Sequence, residues 1–122
     1  MPVVEAHGAS IPSVGFGTWE LRGRACARLV EQALRLGYRH VDTAQVYENE
    51  RDIGEGLRAS GVRRSEVFIS TKVWWTHFAP RELERSAKES LAGCGSPRSI
   101  CCRCTGPIRM CRWRRRWARC AG

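Results

Sequence analysis

The chain has 122 residues, one domain's worth, with twenty-one Lys+Arg against twelve Asp+Glu and seven Cys. It holds no run of about eighteen apolar residues, so no transmembrane helix is expected. Its opening Met-Pro-Val-Val-Glu has no basic or apolar leader region, so no secretory signal is expected either. The totals suggest a small basic module, but they are unevenly spread. Residues 1–93 hold all the acids and thirteen of the basic residues, a charge of +1. Residues 94–122 hold eight Arg, no acid and six Cys (Cys94, Cys101, Cys102, Cys104, Cys111, Cys120). A cytosolic chain keeps thiols reduced, and an odd count fits that, so a disulfide framework is not expected.

Val3-Val4 and Ile11-Pro12 flank a short polar stretch and predict a hairpin. Ser13–Trp19 is a short run broken by glycines, which predicts a buried strand. From Gly23 to about Leu36, Cys26, Leu29, Val30, Ala33 and Leu34 fall at helical spacing, and Gly37 ends the helix. Tyr38–Thr43 predicts a strand. Asn49–Ser60 predicts a second helix through Ile53 and Leu57, closed by Gly61. Val67–Val73 is rich in β-branched and aromatic residues and predicts the clearest strand. Pro80 opens a third helix that runs to about Leu91.

Strands alternating with helices of this length predict a parallel α/β sheet, either doubly wound or an eightfold barrel. Gly15-Phe16-Gly17 is followed by Thr18-Trp19-Glu20, so the Gly-x-Gly-x-x-Gly of a doubly wound nucleotide fold is not met. Strand ends are where such folds keep functional side chains. Those ends carry Gly17-Thr18-Trp19, Asp42-Thr43 and Lys72-Val73-Trp74, with Tyr47 just beyond Asp42. If Asp42, Tyr47 and Lys72 converge, a lysine held charged by an aspartate would ready the phenol to give a proton to a carbonyl oxygen. The alternative is an Asp capping a loop, a Lys on the rim and a Tyr packed over both.

Three stretches carry a family resemblance. Gly37-Tyr38-Arg39-His40-Val41-Asp42-Thr43-Ala44, with Tyr47-Glu48-Asn49-Glu50 and Ile53-Gly54, resembles the first signature of the aldo-keto reductases. Val67–Trp74 resembles the strand bearing their lysine, and Ile11–Trp19 their opening hairpin and first strand. The likeness covers about residues 3–91 and is greatest to the bacterial 2,5-diketogluconate reductase-like branch. It implies a (β/α)8 barrel, here an N-terminal β-hairpin plus about three βα units. It implies NADPH as cofactor and the reduction of aldehydes and ketones by hydride transfer. By resemblance, Tyr47 is the general acid, tuned by Lys72 and Asp42. Gly17, Thr18, Trp19 and Asp42 lie near the cofactor, and Trp19, Tyr47 and Trp74 wall the substrate pocket. The family's fourth catalytic residue is a His in a His-Trp-Pro sequence ending the fourth strand. That sequence is absent here, and His77 does not replace it; His40 reads as structural. No metal is expected.

After Leu91 the resemblance stops and no apolar period of 2 or 3.6 survives, so residues 92–122 are expected to be irregular or disordered. Cys101 and Cys104 have Cys-x-x-Cys spacing, which Cys94, Cys111 and Cys120 could complete as a zinc site, although zinc sites usually pair two such knuckles. Arg112-Trp113-Arg114-Arg115-Arg116-Trp117 could hold phosphates and stack bases, or lie on an anionic membrane. The third reading is a shifted frame. Cys, Arg, Trp and Gly without acids are what a GC-rich gene yields one base out of step. Back-translated with GC-preferring codons and stepped back one base, residues 96–102 read Leu-Ala-Glu-Val-Asp-Leu-Leu. Residues 103–107 then read Pro-Leu-His-Trp-Pro. The missing motif returns in register, and one base lost after the Leu91 codon suffices.

The chain thus divides into 1–91, the first part of a reductase barrel, and 92–122, a tail out of frame. Its length is about half of the roughly 250 residues an eightfold barrel needs. The sequence predicts a small carbonyl substrate, a cytoplasmic setting, a monomeric parent enzyme, and no specific nucleic-acid or membrane partner. It predicts that the chain as written is unstable and inactive. The rival class is a binding module that uses the Arg/Trp tail on nucleic acid or anionic membrane. A further alternative is that a second chain completes the barrel.

Overall fold

The computed structural model describes residues 2–6, 9–73, 80–94 and 100–104. A hairpin of β1 (Val3–Ala6) and β2 (Ala9–Pro12) pairs Val3 with Pro12 and Ala6 with Ala9. Beyond it lies a parallel sheet in sequence order: β3 (Phe16–Gly17), β4 (His40–Asp42), β5 (Phe68–Val73) and β6 (Ile100–Cys104). Helix α1 (Gly23–Arg35) connects β3 to β4, α2 (Glu50–Ser60) connects β4 to β5, and α3 (Pro80–Gly93) follows β5. Consecutive parallel strands with a helix in each of these connections form the arc that an eightfold barrel starts with.

The helices and β5 follow their sequence patterns closely. In α1 the buried side chains are Cys26, Val30, Ala33 and Leu34, one stripe at helical spacing, whereas Leu29, expected with them, is exposed. In α2 they are Ile53 and Leu57, with Gly54 and Gly56 on the same buried face. Gly61, at φ 73°, caps α2 in the left-handed conformation that a side chain disfavours. Strand β5 alternates: Ile69, Thr71 and Val73 are buried, whereas Phe68, Ser70 and Lys72 are only half-buried. One face of the sheet therefore packs on the helices, and the other carries the polar residues. The core joins Cys26, Val30, Leu34, Val41, Ile53, Leu57, Val67, Ile69 and Cys94. Leu34, Ile53 and Ile69 are fully buried, each contributing about 2 kcal/mol by removal from water.

Two expectations change. The strand expected over Ser13–Trp19 is hydrogen-bonded to its neighbour only at Phe16 and Gly17, paired with Val41 and Asp42. The stretch after Leu91 is not irregular throughout. Helix α3 runs to Gly93, Cys94 is fully buried in the core, and β6 pairs in parallel from Ile69↔Ile100 to Val73↔Cys104. The reason is the free edge of β5: its backbone N–H and C=O groups need partners, and the next extended segment supplies them. Residues 105–122, including the Arg/Trp run, Cys111 and Cys120, lie outside the described residues. Among the described residues, no helix is long and apolar enough to cross a membrane, and no cluster of three potential ligands could hold a metal.

Burial, aided by the charge of Asp52, pushes the Cys26 thiol up from 9.0 to about 11. Its folded value lies above its unfolded one, so its contribution to stability is complete below pH 9.0 and is lost as pH rises towards 11. Thermal melts are expected to fall across that window, and Cys26→Ala is expected to flatten the fall.

Candidate active site

The ends of β3, β4 and β5 meet at Asp42. Its Oδ2 accepts a hydrogen bond from Lys72 Nζ at 2.8 Å, and its Oδ1 accepts one from Ser70 Oγ at 2.6 Å. Lys72 also donates to the Thr43 carbonyl at 3.0 Å. The Lys72 side chain is 19% exposed and that of Asp42 41%. The ammonium is thus held from behind, while the carboxylate keeps a face open to a ligand. Lys72 Nζ lies over the Tyr47 ring, 5.6 Å from its centroid. The three residues singled out from strand ends therefore converge, with the cation facing the aromatic ring.

Tyr47 closes a short 3-10 turn, Gln45–Tyr47, ended by Glu48 at φ 55°. That turn is anchored from behind. Gln45 Nε2 donates to Ser86 Oγ at 2.6 Å and to Ser90 Oγ at 2.8 Å, both on α3. Ser90 donates to Glu50, which also accepts from Thr71 at 2.6 Å. Asn49, fully buried, accepts from Thr43 Oγ1 at 2.7 Å and donates to the carbonyls of Thr18 and Leu21, each at 2.9 Å. It ties the loop bearing Trp19 to the loop bearing Tyr47. Asn49, Gln45, Ser70, Ser86 and Ser90 had no role assigned from sequence. Asn49 sat inside the quoted signature, but a lone Asn carries no sign of which carbonyls it will meet.

Trp19 and Tyr47 do share a cavity, of about 320 Å³, with Glu20, Arg22 and Val46. Trp19 is 70% exposed, a large apolar surface left uncovered beside it. Gly17 adjoins open space, since a Cβ there meets no atom within 4 Å. Thr18 is different: it is fully buried, and its hydroxyl donates to the Asp42 carbonyl at 2.9 Å. It holds the strand ends together rather than facing the cavity. Trp74 and His77 lie outside the described residues. Another cavity of about 330 Å³, lined by Gly54, Leu57, Arg58, Gly61, Val62, Arg64 and Cys94, lies on the helical side, away from these strand ends.

The model of the aldo/keto reductase family matches residues 13–97 of this chain. The chain belongs to that family. The match runs past Leu91, the point where the resemblance was expected to stop. The chain is 45% identical over 82 residues to methylglyoxal reductase DkgB of Yersinia pestis, covering 67% of this chain and 31% of that protein. It thus spans about a third of that relative's length. A structure provisionally described as a 2,5-diketo-D-gluconic acid reductase B superposes with a TM-score of 0.75 at 41% identity, over 80% of this chain and 36% of that one. A Bombyx mori aldo-keto reductase solved in complex with NADP gives a TM-score of 0.72 at 33% identity, over 80% and 36%. The fold is accordingly the N-terminal part of a (β/α)8 barrel, and the chain is by family an oxidoreductase.

Proposed function

We propose that these residues are the N-terminal part of an NADPH-dependent carbonyl reductase in which Tyr47 gives the proton. The observation that carries it is Lys72 Nζ, 2.8 Å from Asp42 and over the Tyr47 ring, at the ends of adjacent parallel strands. The cavity between Trp19 and Tyr47 fits a flat ring and a small carbonyl beside it. Asp42 does not line that cavity, but its part-exposed carboxylate can accept from a ligand hydroxyl beside the strand ends. These features suit the reactive end of a dinucleotide. Bound there, NADPH supplies the hydride. The chain's own residues do the rest: Trp19 covers the ring, Tyr47 moves its phenolic proton to the carbonyl oxygen, and Lys72 holds a positive charge beside the oxyanion path. Asp42 keeps that charge in place.

Residues after Leu91 are, on this reading, translated out of frame, although the family match to the chain as written runs on to residue 97. β6 takes the place of a fourth barrel strand in register with β5, and at that place the restored frame reads an apolar strand ending in His-Trp-Pro. The reading carries a small-molecule carbonyl as substrate, a cytoplasmic setting and a monomeric parent enzyme. The 122-residue chain is expected to show no NADPH oxidation with a small aldehyde, and robust turnover overturns that. In independent reads of the gene, the frame one base back after the Leu91 codon is expected to run through His-Trp-Pro and on into further family sequence; a downstream sequence with no such continuation in that frame sinks the shift. In the restored enzyme Tyr47→Phe is expected to cut kcat at least about 100-fold.

A further inference from the structure

Asp42 is linked to a second titratable side chain, on its own strand. His40 precedes it by two residues and lies on the same face of β4. Its ring is fixed on three sides. Nδ1 is 3.0 Å from the Pro12 carbonyl at the end of β2. Nε2 is 3.0 Å from Ser70 Oγ on β5. The Phe68 ring meets it edge to face, centroids 5.2 Å apart at 86°. Gly15 leaves the room it needs: a Cβ there would stand 3.0 Å from Nδ1. Among the described residues the charged or titratable groups on this face of β4 and β5 are Asp42 and Lys72, with Tyr47 beyond them.

The hydrogens in this row can be counted. The Pro12 carbonyl only accepts, so Nδ1 carries a proton and donates it. Ser70 has one hydroxyl proton, and it goes to Asp42 Oδ1 at 2.6 Å. Nε2 then faces a lone pair of Ser70, and the contact is a hydrogen bond only if Nε2 donates too. With Nε2 bare, ring and carboxylate compete for the one Ser70 proton. The ring's charge state therefore decides which way the hydroxyl points, and so whether Asp42 Oδ1 is hydrogen-bonded.

We propose that His40 is a positioning residue for Asp42, acting through Ser70: protonating the ring commits the Ser70 hydroxyl to Asp42, and deprotonating it lets the hydroxyl turn away. The consequence for catalysis rests on the reading of Asp42 and Lys72 as the pair beside Tyr47. The relay itself does not, so its test needs no turnover. The chain contains two Asp, Asp42 and Asp52, and three His. The full chain labelled with carboxyl-13C aspartate and ring-15N histidine is titrated by NMR, and Asp42→Asn and His40→Gln assign the signals. The Asp42 carboxyl signal is expected to show an inflection that coincides with the His40 ring titration. That inflection is expected to vanish in Ser70→Ala and to survive in Ser70→Thr, which keeps the hydroxyl. A chain in which Asp42 shares no inflection with His40 overturns the proposal, as does an inflection that persists in Ser70→Ala. Neither outcome bears on NADPH oxidation, which tests the reductase reading by itself.

Discussion

Replacing Asn49 with Ala is expected to lower the stability of the chain by about 3 kcal/mol, seen as a fall in its urea midpoint. The side chain is fully buried and makes three hydrogen bonds: it accepts from Thr43 Oγ1 and donates to the carbonyls of Thr18 and Leu21. Truncation strands all three partners, Thr43 and the Thr18 carbonyl in buried contacts and the Leu21 carbonyl in a half-buried one. Each stranded polar group costs about 1–3 kcal/mol, and partial relaxation keeps the total below their sum.

Asn49→Asp separates donor loss from volume loss. The carboxylate keeps the acceptor for Thr43 but sets an oxygen against two carbonyls that had been receiving N–H groups. Burying that charge without a donor is costly, so Asn49→Asp is expected to be at least as harmful as Asn49→Ala at neutral pH and milder once the carboxyl is protonated in acid. Melts of both variants at the two pH values check this. A wild-type midpoint in both would show that the two loops are held by something else. The consequence reaches the site, because Asn49 joins the loop of Trp19 to that of Tyr47, and the cavity lies between those two side chains.

What could be read in the sequence was what repeats or alternates. Cys26, Val30, Ala33 and Leu34 declared the α1 stripe, and the helix begins at Gly23 as the pattern predicts. Phe68 to Val73 declared β5, and its two-residue alternation already separated Ile69 from Lys72. Asp42 and Lys72 were legible as strand-end charges and Tyr47 from its place just beyond Asp42, while its role as the acid came through the resemblance. The supports behind them were not. Gln45 meets Ser86 and Ser90 across some forty residues, and no local period encodes such a meeting. β6 was hidden for another reason: Ile-Cys-Cys-Arg-Cys has no clean alternation, and what makes it a strand is the open edge of β5 rather than its own pattern. The hydroxyl of Ser70 looked like one more residue in a β-rich run, yet it joins His40 to Asp42.

Gly56→Ala is expected to destabilise the chain by about 2 kcal/mol, against the sign that helix propensity alone dictates. In an exposed helix interior, Gly→Ala gains about 1 kcal/mol, because glycine loses more backbone freedom on folding. Gly56 is not exposed: it lies where α2 crosses α1, and a Cβ there would collide with the Ala27 carbonyl oxygen and sit 2.8 Å from Val30 Cβ. Neither atom is the loose end of a side chain. Relief requires moving α1 and α2 apart, and that opens the packing of Val30 and Leu34 against Ile53 and Leu57. Overpacking of this kind costs about 1–3 kcal/mol, enough to reverse the propensity gain. Gly54 provides the internal comparison. Its Cβ would meet the Gly93 carbonyl oxygen at 2.6 Å, but that oxygen belongs to the last turn of α3. A helix end can shift where a helix middle cannot, so Gly54→Ala is expected to lose less. Denaturation midpoints of the two variants decide it: if Gly56→Ala raises the midpoint, the close crossing of α1 and α2 is not what this glycine serves.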